Sequence, residues 1–169
     1  MTEELQVSEG DRASKYEVLI PQVQALLSGE PDLIANLANM AAAIHQTFGF
    51  LWVGFYRNIG EQLVLGPFQG PIACSRIRAG EGVCGACVAR GQTIIVPDVE
   101  KFPGHIACSS SSRSEIVVPL IQHGEVKLVL DVDSDQPDDF DAVDQAGLEK
   151  LVALLDERYP APHPLLRAV

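Results

Sequence analysis

Positive charge is scarce in this 169-residue chain: 12 lysines and arginines stand against 23 aspartates and glutamates, a formal net charge of −11. Such a surface repels nucleic acid and anionic membrane, which argues against either as a main partner. No apolar run approaches the roughly 20 residues needed to span a bilayer. The amino terminus, Met1-Thr-Glu-Glu-Leu-Gln-Val-Ser-Glu-Gly10, lacks the basic start and apolar centre of a secretion signal. A cytoplasmic protein is the expectation. Internal repeats and long linkers are also missing, and the first dozen residues are polar. Only four cysteines are present. In a reducing compartment so few point to catalysis, redox sensing or metal binding rather than to permanent disulfides. What remains is an ordinary globular composition, long enough for one domain with a sizeable core.

The element pattern is readable from periodicity and turn chemistry. Residues 14–28 predict a first helix, kinked or restarted at Pro21. Pro31 and Asp32 open a second, whose apolar positions Leu33, Ile34, Leu37, Met40, Ala41 and Ile44 recur with helical period. The aromatic and β-branched run Phe50–Tyr56 predicts a strand, followed by strands near 62–65 and 72–77. A glycine turn at Gly80 leads into a short helix over 83–90, then a strand at 93–96. Pro97 and Pro103 keep the next stretch irregular and place Cys108 in a loop. Residues 114–121 and 125–133 predict a hairpin, and 138–159 a closing amphipathic helix with Leu148, Leu151, Val152 and Leu155 on one face, stopped by Pro160. This order argues for an α+β domain, a central mostly antiparallel sheet with N- and C-terminal helices packed on it.

A three-residue hairpin loop with Gly124 left-handed pairs Glu115 with Asp131. Ile116, Val118 and Leu120 then share an apolar face with Val126, Leu128, Leu130 and Val132, while Glu115, Asp131 and Asp133 share the other. Like charges facing one another destabilise a sheet, so the patch calls for a cation or a raised carboxyl pKa. A solvated sheet face is the plain alternative.

The loop from Phe102 to Ser114 carries Cys108 into the strand bearing Glu115, with Cys74, Cys84 and Cys87 upstream. A nucleophilic thiol, nearby ionisable groups and spare thiols suit two-electron thiol redox chemistry, although cysteine is also a common core residue. Cys84-Gly-Ala-Cys87 sits at a helix start, where the macrodipole favours a thiolate at Cys84. With His105, the cysteines lack the paired spacing of a zinc site, and no metal is expected.

The chain resembles the free methionine-(R)-sulfoxide reductases, which are built on a GAF domain. The resemblance runs from about Phe50 to Leu155 and rests on Trp52-Val-Gly-Phe-Tyr56, Gly66-Pro-Phe-Gln-Gly-Pro71, Ala73-Cys74-Ser-Arg-Ile77, Gly80-Glu-Gly-Val-Cys-Gly85, Phe102-Pro-Gly-His-Ile-Ala-Cys108, Ser114-Glu-Ile-Val-Val-Pro119 and Leu130-Asp-Val-Asp-Ser134. It implies a polar segment at 1–13, a GAF-like catalytic domain at 14–159 and a tail at 160–169. It further implies Cys108 as the catalytic cysteine, with Cys74 and Cys84 as resolving or relay thiols in an order left open. Glu115, Asp131 and Asp133 become polar walls of the substrate pocket, and Trp52 and Tyr56 its aromatic side. The implied reaction reduces free methionine-(R)-sulfoxide through a sulfenic acid and an intramolecular disulfide, recycled by thioredoxin in a homodimer without a cofactor. Ser109 departs from the acidic residue that the family carries after its catalytic cysteine, and Cys87 replaces a small residue. A non-enzymatic GAF sensor of small molecules or oxidants is the alternative.

Overall fold

A computed structural model describes residues 4–106 and 110–159 of the chain. Six strands form one sheet: β1 (Trp52–Ile59), β2 (Gln62–Gln69), β3 (Arg76–Arg78), β4 (Ile94–Val96), β5 (Ser114–Gln122) and β6 (Glu125–Ser134). Their spatial order is β3-β2-β1-β6-β5-β4, with every neighbouring pair antiparallel. Alternation along each strand sends side chains to two faces. One face carries Val53 and Phe55 from β1, Ile116, Val118 and Leu120 from β5, and Leu128, Leu130 and Val132 from β6. It is covered by α1 (Arg12–Ser28), α2 (Leu33–Phe48) and α4 (Ala142–Ala153). The other face carries Trp52, Tyr56, Val117 and Val129 and is covered by α3 (Gly82–Arg90). Among the described residues no helix is long and apolar enough to cross a membrane.

The helices begin where side chains satisfy their free N–H groups. Asp11 accepts from the Ser14 amide and Asp32 from the Ala35 amide. Pro31 therefore precedes the cap of α2 instead of sitting in its first turn, and α1 runs unbroken through Pro21. The closing helix is shorter than its periodicity suggests. A capping box between Asp141 and Asp144 fixes its start, and it ends at Ala153 before a 3-10 turn at Asp156–Arg158. Pro160, expected as its stop, lies outside the described residues. The strand expected over 72–77 is confined to Arg76–Arg78, where the ladder with β2 runs from Val64 to Gln62.

The β5–β6 hairpin differs most informatively from its expected register. His123 and Gly124 both have positive φ, 53° and 78°, and form a two-residue turn in which Gln122 faces Glu125. Ile121 then faces Val126 but Leu120 faces Leu128, so Lys127 is an extra residue on β6. The bulge brings Glu115 opposite Asp133, not Asp131, and sends Val126 to the α3 face. Expected and observed registers differ by two residues beyond the bulge, so the grouping of Glu115, Asp131 and Asp133 on one face survives.

Candidate active site

A cleft of about 530 Å³, including its open mouth, lies between the α3 face of the sheet and the segments before α3 and after β4. Trp52, Tyr56, Cys84, Glu115, Asp131 and Asp133 all line it. Strand pairing puts Asp133 between Trp52 of β1 and Glu115 of β5, and Asp131 between Gly54 and Val117. Gly54 is needed there. A Cβ on it would stand 2.3 Å from the tip of the Trp52 indole, which lies across the strand at this point. The indole stacks on Phe68 and Tyr56, with ring centroids 5.3 and 5.9 Å apart.

The two aromatic residues are more than an apolar wall. Tyr56 Oη donates to the Cys74 carbonyl at 2.9 Å, and Trp52 Nε1 donates to the Pro71 carbonyl at 3.1 Å. Their polar tips thus hold the segment that carries Cys74 along the edge of the cleft. Ile72 within it lines the mouth and is 91% exposed. Cys74 is joined in a disulfide, whereas Cys84 and Cys87 are buried free thiols. Cys87 packs in the core with its Sγ 3.7 Å from the Val117 carbonyl, and its pKa is pushed up to about 12, chiefly by burial. Cys108 and Ser109 lie outside the described residues.

Burial dominates the electrostatics. Glu115 and Asp131 are pushed well above the usual carboxylate range by desolvation, reinforced by the repulsion of neighbouring carboxylates. Asp133 is pushed up to about 6 by burial, against the hydrogen bond that Ser112 Oγ donates to it. The Cys84 thiol is raised, not lowered: burial and the charges of Asp131 and Glu115 outweigh the start of α3, contrary to the helix-dipole expectation. Asp131 interacts with both Cys84 and Glu115, yet its buried Oδ1 has no hydrogen-bond partner among the described residues. Donor atoms of Cys84, Glu115 and Asp131 lie within 4.8 Å of one another, close enough to surround one cation.

Sequence reasoning missed Ser112, which the structure joins to Asp133, and the mouth residue Glu81; His105, noted in the sequence as an ionisable neighbour of Cys108, also lines the mouth. Nothing local separates Ser112 from the three serines before it; only the fold turns its hydroxyl towards β6. The chemistry available is therefore an acid trio whose pKa values burial raises, an aromatic wall and a disulfide-bonded cysteine at its edge.

Comparison with known proteins agrees with this architecture. Residues 28–156 match the GAF domain family. The chain is 55% identical over 92% of its length, and 99% of the relative's, to GAF domain-containing protein A of Dictyostelium discoideum. It is 46% identical to the free methionine-R-sulfoxide reductase of Escherichia coli, covering 84% of this chain and 87% of that one. The X-ray structure of free methionine-R-sulfoxide reductase from Neisseria meningitidis, in complex with its substrate, superposes with a TM-score of 0.91 at 47% identity, covering 94% of this chain and 96% of the other. With a domain match over most of its length and relatives of this identity and coverage, the chain belongs to the GAF-domain family of free methionine-R-sulfoxide reductases.

Proposed function

We propose that the protein reduces free methionine-(R)-sulfoxide to methionine with Cys108 as nucleophile. The observation that carries this reading is the convergence of Glu115, Asp131 and Asp133 on an aromatic-walled cleft whose edge holds a disulfide-bonded Cys74. The three carboxyls divide the work by their environments. Asp133, with its pKa near 6, is a carboxylate at neutral pH and holds the substrate's ammonium. Glu115 and Asp131, which burial and their neighbours push well above the usual carboxylate range, are placed to supply a proton to the sulfoxide oxygen. Trp52 and Tyr56 face the S-methyl group.

In the first step the Cys108 sulfur attacks the sulfoxide sulfur, and the protonated oxygen passes to Cys108. Methionine leaves and a sulfenic acid remains. The Cys74 thiol then attacks that sulfur, releasing the oxygen as water and closing a Cys74–Cys108 disulfide. Supporting this order over one through Cys84 is the state of the thiols: Cys74 is in a disulfide, whereas Cys84 is free and held against Asp131. A dithiol of the thioredoxin type supplies two electrons and two protons to restore both thiols.

The test is an NADPH-coupled assay with thioredoxin and thioredoxin reductase, offering R and S epimers, free and peptide-bound. Turnover of the free R epimer alone is expected, because a peptide-bound methionine lacks the ammonium that Asp133 would hold. Cys108→Ser should abolish that turnover and leave the circular-dichroism spectrum unchanged. No turnover of any epimer, or full activity without Cys108, would overturn the reading.

A further inference from the structure

We propose that Cys84, Glu115 and Asp131 form a site for one thiophilic divalent cation of the zinc type, at the inner end of the cleft. Bound there, the cation excludes the substrate's ammonium; that last consequence rests on the proposed function. Tetrahedral zinc with bonds of about 2.0–2.3 Å holds its ligand atoms roughly 3.3–3.8 Å apart. The three donor atoms already lie within 4.8 Å of one another, so small side-chain rotations close the set. They come from α3, β5 and β6, three packed elements, and all three residues are more than nine-tenths buried. Independently of the grouping, Asp131 lines the cleft and its Oδ1 is buried without a partner among the described residues. No lysine or arginine lines the cleft among those residues, so no side-chain cation serves the acid groups there.

The sulfur donor decides which cation fits. An ammonium group is served by carboxylates and has no use for a thiol. Magnesium and calcium take oxygen ligands, whereas zinc favours mixed sulfur and oxygen sets. Three protein ligands leave the fourth position facing the cleft, an arrangement that zinc completes with water. The ligands are spread over 84, 115 and 131, which is why no zinc spacing shows in the sequence.

Equilibrium dialysis of the fully reduced protein against buffered Zn²⁺, with Co²⁺ as a spectroscopic substitute, tests the site without any turnover. One metal per chain is expected, with a sulfur-to-cobalt charge-transfer band in the near ultraviolet. Cys84→Ser should remove the band and weaken Zn²⁺ binding by roughly 100-fold, at the upper end of what losing even a supporting group costs. Glu115→Gln should keep the band and weaken binding about tenfold, which preserves the test should Cys84→Ser fail to fold. Cys87→Ala and the Cys74→Ser/Cys108→Ser double variant should retain both band and affinity. Sub-stoichiometric uptake, a band that survives Cys84→Ser, or a band lost in the double variant would each overturn the site. A separate single-turnover measurement of methionine formation by reduced enzyme should show Zn²⁺, but not Mg²⁺, raising the substrate concentration required, reversibly with chelator. Absence of methionine without added metal would count against the proposed function and leave the dialysis result standing.

Discussion

Asp133 is the acid of the trio that changes charge nearest neutrality, and its environment makes opposite demands on stability and on binding. Its folded pKa of about 6 lies above the unfolded value near 4, so the folded state holds the proton more tightly. The stability linked to that proton is fully present below about pH 4 and is lost as pH rises through 6. Asp133→Asn should therefore raise the melting temperature at pH 8 by roughly 5 °C, with a difference that shrinks towards pH 4. The same change should lower kcat/KM at least tenfold through loss of the ammonium contact, read by steady-state kinetics. Tyr56 offers a second check at this scale. Its Oη reaches the backbone of Cys74, so Tyr56→Phe should loosen that segment while keeping the ring against Trp52. Thioredoxin-supported cycling should slow several-fold, whereas a single turnover, which needs no disulfide exchange with the partner, should change little.

Strand β1 shows how an element can be legible in kind and not in its detail. Its aromatic run predicted a strand because branched and aromatic side chains suit a pleated surface, and Trp52 and Tyr56 stand two turns of the pleat apart on one face. Nothing in the string shows that the indole folds across Gly54, since that depends on Phe68 arriving from β2. The β5–β6 hairpin behaves likewise. Alternation of apolar and acidic residues was enough to gather Glu115, Asp131 and Asp133, because face depends only on parity. The pairing of Glu115 with Asp133 depended on a bulge at Lys127, for which no local residue preference calls. Cys84 was placed at the start of α3, yet its raised pKa comes from β5 and β6, which no helix-level reading includes. Gly54→Ala tests β1 directly. The added methyl must displace Trp52, the single tryptophan of the chain, so intrinsic fluorescence reports on the cleft alone. A red shift of the emission and a several-fold rise in KM are expected, with the far-ultraviolet circular dichroism unchanged.

At the scale of the whole molecule, the cleft is separated by the sheet from the contacts that tie the two ends of the described chain together. Arg12, at the start of α1, reaches Asp139 at 2.8 Å and Asp144 at 2.9 Å, and its guanidinium lies over the rings of Phe48 and Phe50 at 5.8 and 5.1 Å. Tyr16 adds a hydrogen bond to Asp144 at 2.9 Å, and its ring packs so closely on Gly147 that a Cβ there would stand 2.4 Å from it. Asp144 is buried and also serves the capping box of α4, so one carboxylate joins helix start, chain start and core. Removing its cation strands a buried charge, which costs more than an exposed ion pair is worth. Arg12→Met keeps an apolar stem but removes the guanidinium, with its hydrogen bonds to Asp139 and Asp144 and its place over the two rings. It should destabilise the protein by about 3 kcal/mol, the low end for a buried partner lost, because the arginine itself is half-exposed. Chemical denaturation should report that loss as a lower midpoint, while kcat and KM stay within twofold below the transition. A variant as stable as the parent would mean that Asp144 finds another partner; one that is stable enough yet inactive would mean that the helical face and the cleft are coupled through the sheet.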